Sequence, residues 1–437
     1  MNLKRKKINT EAISEKRSQT KLKTGSTTKL KIGIISYRSN PHCGGQGVYV
    51  RNLSRALSDL GHSVEVISGP GNPGLFPGAR LTKLPTLDLY NPDDLFRTPT
   101  LSELADPINF MEWFSVSTMG YPEPFTFGMR ARRYLKGKQD KYDIIHDNQS
   151  LAFSMLSISK NIPLVSTIHH PITIDRKIAI RTTKSFLKKV KYLRWYSFIM
   201  MQKYVARRLN RIITVSQFSK KDISNEFKIN DKTIKSIPIG IDTDLFYPLP
   251  DIKKDPERLI VTNSADTPLK GLYQLLQAVK KISEKRKIKL VVIGTPKKNG
   301  GIEKLVKQLN LKDYVTFTGR IDHARFIKEY AKSSIAIVPS LYEGFGLPAG
   351  EAMACRIPLI CTTGGALPEV TGTAAKLVPP GDVRAMEQAI GELLDDPEQR
   401  EKLADAGYRR ILKNFTWERT AIKTVETYRE SIADFNR

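Results

Sequence analysis

The stretch Glu343-Gly344-Phe345-Gly346-Leu347-Pro348-Ala349-Gly350-Glu351 holds two carboxylates at its ends, with three glycines and one proline between them. The apolar run Ile335-Ala336-Ile337-Val338 precedes it, and Ala352-Met353-Ala354 follows. That order predicts strand, loop, helix. Glycines let the backbone approach a ligand closely and adopt positive φ. Pro348 suits the first helical position, where its missing N–H costs nothing. The open N–H groups of the helix start favour an anion such as phosphate. Carboxylates beside an anion would repel it, but they make sense if they grip neutral hydroxyls nearby. Sugar hydroxyls next to a diphosphate meet both demands. An ordinary strand–turn–helix connection, with glutamates that complement the helix dipole, is the plainer reading of the same residues.

Working outward, the second half alternates short apolar strands (259–262, 289–293, 315–318, 335–338, 358–362) with helices. The first half does the same, with strands at 30–35, 64–67, 144–145, 164–168, 212–215 and 234–237. A loop over 36–47 leads into an amphipathic helix carrying Val48, Leu53 and Leu57, which closes near Gly61. Short apolar strands spaced by helices mean parallel sheets. The fold class is α/β: two doubly wound, Rossmann-like domains facing a central cleft. The boundaries expected are 1–29 for a basic, disordered tail and 30–237 for the first domain. The second domain covers 238–416, and a helix over 417–437 crosses back to the first. Ligands in such folds bind beyond the carboxyl ends of the strands. The loops after Ile35, Ile168 and Val338 lie at that edge. Residues 69–130, rich in Pro and Gly, yield no assignment.

A chain of 437 residues exceeds one typical core, which also argues for two domains. No apolar run reaches the roughly 18 residues of a membrane span, and residues 1–31 lack the apolar stretch of a secretory signal. Cys43, Cys355 and Cys361 form neither a disulfide framework nor a metal-ligand spacing, so a reduced, cytoplasmic setting is expected. The net charge of +27 calls for a polyanionic partner or surface. One concentration is the N-terminal tail. The other is 181–211, where Lys188, Lys189, Lys191 and Arg194 interleave with Phe186, Leu187, Leu193 and Trp195. It reads either as an interfacial helix on an anionic membrane or as a long core helix with a solvated basic face. Nucleic acid is not expected, because no DNA- or RNA-binding signature accompanies the charge.

Motifs recur in a fixed order: Gly44-Gly45-Gln46-Gly47, Gly61-His62-Ser63-Val64, Ile145-His146, Ser166-Thr167-Ile168-His169, Thr214-Val215-Ser216 and Ile239-Gly240-Ile241-Asp242. Pro268-Leu269-Lys270-Gly271, Gly319-Arg320, the 339–351 segment, Gly364-Gly365-Ala366-Leu367-Pro368-Glu369 and Pro380-Gly381-Asp382 follow. Together they resemble the retaining, nucleotide-sugar-dependent glycosyltransferases of family 4, which have the GT-B fold. The resemblance covers nearly the whole chain after the tail.

It implies roles for particular residues. Gly44 and Gly45 would bring backbone amides to the diphosphate, and Lys270 would pair with it as a point charge. Glu343 would bind hydroxyls of the donor sugar, the amides of Gly344, Phe345, Gly346 and Leu347 would line sugar and phosphate, and Glu351 would hold the ribose. His169 would lie near the reacting sugar. Catalytic candidates are therefore His169, Lys270 and Glu343. Most family members carry an arginine six residues before the lysine, where this chain has Ser264; Arg320 is the substitute considered. His170 beside His169 leaves open which ring faces the cleft. The implied activity is retaining transfer from a UDP- or GDP-sugar to an acceptor hydroxyl by front-face attack. No metal and no cofactor are expected, since Lys270 and the backbone amides would carry the charge of the departing diphosphate. Rival readings are an epimerase or phosphorylase on the same fold, or a sugar-binding scaffold. The acceptor is open, and a membrane-surface lipid or glycan at the inner face of the membrane is one option.

Overall fold

A computed structural model of the chain describes residues 28–40, 45–91, 94, 97–183, 185–263 and 267–437. Residues 1–27 of the tail, Gly44 and Ser264 therefore lie outside the described residues. Two parallel sheets dominate the rest. The first contains β1 (Lys31–Ser36), β2 (Ser63–Ser68), β3 (Ala79–Lys83), β4 (Ile144–Asn148), β5 (Leu164–Ile168), β6 (Ile212–Thr214) and β7 (Ile234–Ser236), in the order β3-β2-β1-β4-β5-β6-β7. The second contains β8 (Asp255–Thr262), β9 (Lys289–Ile293), β10 (Val315–Phe317), β11 (Ser333–Val338), β12 (Leu359–Thr362) and β13 (Lys376–Val378), in the order β10-β9-β8-β11-β12-β13. Every ladder among them is parallel.

Parallel strands are buried on both faces, so their sequences are nearly unbroken apolar runs. Ile32, Ile34 and Ile35 of β1 and Ile335, Ala336 and Ile337 of β11 are all buried. Helices cover both sides and build one core around Ile35, Phe127, Ile145 and Val205, and another around Leu259, Leu275, Ile335 and Ile390.

The expected strands are present; four are longer than expected by two to four residues, and the others match to within one residue. Two strands went unread. Ala79–Lys83 is a partly exposed edge strand with few apolar residues, and Lys376–Val378 is only three residues long. The unassigned region also contains helices over Pro107–Ser117 and Glu123–Leu135. The basic-aromatic stretch is not one long helix. It breaks into Thr173–Thr182, Phe186–Trp195 and Phe198–Ala206. Ser185 restarts the chain as a helix cap by accepting from the Lys188 N–H. No helix among the described residues is long and apolar enough to cross a membrane.

The last helix, Trp417–Phe435, packs against the first sheet. Tyr428 Oη lies 2.6 Å from His146 Nδ1, and His146 Nε2 lies 2.6 Å from Thr167 Oγ1. Arg211 bonds Asp434 and Glu430 of the same helix. The chain crosses between the sheets twice, and the crossings touch. The Ile241 N–H donates to the Phe415 carbonyl at 2.8 Å. A Cβ on Gly240 would lie 2.3 Å from the Trp417 nitrogen, so only glycine fits there.

In each sheet the strand order reverses once, between β1 and β4 and between β8 and β11. Ligand crevices of doubly wound sheets open at such switch points, beyond the carboxyl ends of the strands. The candidate residues gather there.

Candidate active site

Lys270 ends a single turn, Pro268–Lys270, in the loop after β8. Glu343 lies in the loop after β11, across the switch point. Lys270 Nζ and Glu343 Oε1 stand 2.6 Å apart, and Ser340 Oγ donates to the same oxygen at 2.8 Å. Three glycines hold this arrangement. Gly271 has φ 68°, and a Cβ on it would come within 1.8 Å of the Pro339 carbonyl oxygen. Gly365, at φ 70°, would press a Cβ to 2.2 Å from the Glu343 carbonyl oxygen. Gly346, at φ 102°, turns the chain into the helix Leu347–Ala354. No side chain caps that helix start; Pro348 has no N–H and the Ala349 N–H bonds the Gly346 carbonyl at 3.0 Å, which leaves the Leu347 N–H and the positive end of the helix dipole toward a ligand. Pro348 sits one residue later than expected, at the second helical position.

Phe345 turns its ring away from the loop and packs on Phe415, with centroids 5.9 Å apart. Only its amide is left to meet a ligand. Arg320 is exposed in the loop after β10. Among the described residues it makes no hydrogen bond to Glu343.

The first domain meets this loop directly. Ser216 Oγ and Ser219 Oγ both donate to the Gly344 carbonyl, at 2.7 and 2.9 Å. Glu369 caps the helix Gln217–Phe227 from the other domain, accepting the Gln217 and Phe218 N–H groups at 2.8 and 2.6 Å. Gly45 lies against Leu347, since a Cβ on it would sit 3.8 Å from Leu347 Cδ1. A Cβ on Gly344 would sit 3.0 Å from the His169 carbonyl oxygen. Gly45, His169, Lys270, Glu343, Gly344 and Leu347 thus gather along the boundary between the two sheets.

His169 is nearly enclosed. Its Nε2 lies 2.8 Å from Asn148 Oδ1, while Asn148 Nδ2 donates to Ser36 Oγ at 3.2 Å. That network leaves Asn148 Oδ1 to accept and assigns the ring proton to Nε2. The His169 N–H donates to Gln149 Oε1 at 2.8 Å, and the ring meets Tyr49 edge-on at 4.8 Å. Burial pushes the imidazole down to about 3, so it is neutral at physiological pH. His170 instead points to Asp175, 3.0 Å away and much more exposed.

Two family models match the chain: one described as Glycosyltransferase Family 4 over residues 43–245, the other as Glycosyl transferases group 1 over residues 250–410. A curated relative, MMP alpha-(1->4)-mannosyltransferase of Mycolicibacterium hassiacum, is 43% identical over 409 residues, covering 92% of this chain and 99% of the relative. The chain belongs to glycosyltransferase family 4. Solved structures agree with the GT-B fold of this glycosyltransferase. Sucrose-phosphate synthase of Thermosynechococcus elongatus superposes with TM-score 0.71 at 25% identity, covering 92% of this chain and 99% of that one. Anabaena Alr3699/HepE, solved in complex with UDP and glucose, gives TM-score 0.64 at 16% identity over 91% of this chain and 99% of that one.

Sequence reasoning missed several residues that shape the glycosyltransferase's site. Asn148 and Gln149 orient His169 from the end of β4. Gln149 takes a left-handed φ of 58°, which costs a non-glycine residue about 1 kcal/mol or more. The Asp147 carboxylate holds that turn by accepting from the Ser150 and Leu151 N–H groups at 3.1 and 2.9 Å. In sequence, Asp147-Asn148-Gln149-Ser150 looks like any polar turn. Ser216, Ser219 and Glu369 had some signal, because each falls in or beside a quoted motif, but their partners lie more than a hundred residues away.

Glu351 is largely enclosed, and burial, with Glu343 adding to it, pushes its carboxyl up to about 7. The folded state holds this proton more tightly than the unfolded chain. The resulting stability is complete below the ordinary carboxylate value and is lost as pH rises through about 7.

Proposed function

We propose that this glycosyltransferase moves a hexosyl group, mannosyl in the first instance, from a nucleoside diphosphate sugar to an acceptor hydroxyl with retention of configuration. The observation that carries the reading is the Lys270–Glu343 cluster at the switch point, beside an uncapped helix start. Lys270 Nζ supplies a positive charge where a diphosphate would leave, and the Leu347 N–H at the helix start adds to it. Glu343 then accepts from sugar hydroxyls. The mannosyl choice follows the name of the M. hassiacum relative.

The bond changes balance without a covalent enzyme intermediate. The acceptor oxygen bonds to the anomeric carbon as the bond to the diphosphate oxygen breaks, on the same face. The acceptor proton passes to a departing phosphate oxygen. The protein contributes positioning and charge stabilisation. His169, neutral and held by Asn148, serves as a hydrogen-bonding contact near the sugar and not as a charged acid.

The test is a transfer assay with guanosine and uridine diphosphate mannose in excess EDTA, with the product's anomeric configuration read by NMR. Mannosyl transfer with retention, undiminished by the chelator, is expected. Inversion, or activity that returns only on adding magnesium or manganese, would overturn the mechanism.

The raised Glu351 carboxyl adds a pH dependence. Under this reading it accepts from ribose hydroxyls, which the ionised form does best. The kcat/KM for the sugar donor is expected to rise as pH climbs through about 7. Glu351→Gln should flatten that limb. A profile that keeps the limb in the Gln variant would remove Glu351 from the binding role.

A further inference from the structure

We propose that one face of the first domain docks on an anionic phospholipid bilayer. The helix Phe186–Trp195 has no buried residue. Phe186, Leu187, Val190 and Leu193 fall at helical spacing and form an apolar stripe turned to solvent, with Phe186 77% and Leu187 79% exposed. Core packing therefore does not account for the stripe.

The exposed surface continues onto neighbouring helices. Arg194 donates to Thr118 Oγ1 at 3.2 Å, which brings the end of Pro107–Ser117 alongside. That helix exposes Phe110, Met111 and Phe114. Further along, exposed Phe153 meets exposed Tyr204 edge-on at 5.6 Å. Several exposed aromatic and aliphatic side chains on adjoining elements exceed what scattered surface residues require.

Charge complementarity names the occupant. No carboxylate occurs in the chain between Asp175 and Asp222. Lys188, Lys189, Lys191 and Arg194 flank the stripe, and among the described residues none of them is in an ion pair. The helices Pro107–Ser117, Glu123–Leu135 and Phe153–Ile158 also enclose a groove of about 680 Å³, with apolar Met129, Ile158 and Ile162 in its wall and Arg132, Lys136 and Lys160 at hand for anionic groups. Apolar side chains for the acyl boundary, bordered by unpaired cations, match an interface rich in acidic headgroups. A soluble acidic protein would use the cations but would leave the stripe uncovered.

Docking is read without turnover, so it stands or falls separately from the sugar chemistry. The full chain is floated with vesicles of phosphatidylcholine alone and of phosphatidylcholine mixed with phosphatidylglycerol. Binding is expected to the mixed vesicles only, weakening as salt is raised. Lys188→Glu combined with Lys191→Glu should lower that binding by about tenfold or more. Leu187→Ser combined with Leu193→Ser should lower it while the melting temperature holds, since neither leucine is packed. Binding unchanged in both variants would assign it to the N-terminal tail and overturn the proposal. So would absence of wild-type binding, or a wild-type dimer that both variants dissociate.

Discussion

Lys270→Ala is expected to lower kcat by about 10²–10³-fold, the scale of losing one preorganised charge at a developing anion. The effect should fall on kcat more than on KM, because the charge on the leaving oxygen grows only as the glycosidic bond breaks. The free-enzyme geometry makes the outcome asymmetric. Lys270 is already paired with Glu343 at 2.6 Å, so the incoming diphosphate must compete with that carboxylate for the ammonium. Removing the lysine leaves Glu343 with Ser340 alone, in a mostly buried setting. Arginine is no substitute, since its planar fork suits a bidentate partner and not this one-oxygen contact. Steady-state kinetics with saturating acceptor would decide the matter. A kcat within a few-fold of wild type would show that another cation carries the leaving group, with Arg320 the candidate.

Gly365→Ala is expected to be strongly damaging, for stability as well as turnover. The new Cβ would meet the Glu343 carbonyl oxygen at 2.2 Å, its nitrogen at 2.8 Å and its carbonyl carbon at 3.0 Å. All three are backbone atoms, so no rotamer change relieves the clash. The φ of 70° adds about 1–2 kcal/mol for any L side chain. The Ala366 N–H to Glu343 carbonyl bond, 2.9 Å long, would be forced to lengthen. The whole cost is expected at about 3 kcal/mol or more. Gly391→Ala is the matched control: it lies inside the helix Val383–Asp395 with nothing within 4 Å of the added carbon. It should stabilise by about 0.5–1 kcal/mol. Denaturant unfolding of both variants checks the pair. Equal, small effects would mean that the loop around Glu343 yields easily and that its glycines do not fix the glutamate.

The architecture was legible because parallel strands write themselves as apolar runs, and Lys289–Ile293 or Ser333–Val338 admit little else. Edge strands such as Ala79–Lys83 carry no such signature, because half their surface faces water. Glycine positions around Glu343 were legible for a similar reason: a backbone that must turn at Gly346 and Gly271 leaves few alternatives to glycine. Side-chain direction was not. That Phe345 packs on Phe415, or that His169 turns inward while His170 meets Asp175, depends on elements distant in the chain. The ties from Ser216 and Ser219 to Gly344 depend on how the two domains meet. Spacing within one segment contains none of that information. Exposure of the Phe186 stripe was equally hidden, since an apolar periodicity looks the same whether it faces a core or solvent.

The paired crossings at Gly240 and Trp417 have a mechanical consequence. One connecting strand would act as a swivel and let the two lobes twist freely. Two strands lying in contact, joined by the Ile241–Phe415 bond and pressed together where Gly240 has no side chain, behave as a two-ply leaf hinge. Such a hinge bends about the line joining its plies and resists torsion. Were the lobes to part for substrate, such a hinge would bring Gly45 and His169 back to the same register opposite the 343–347 loop.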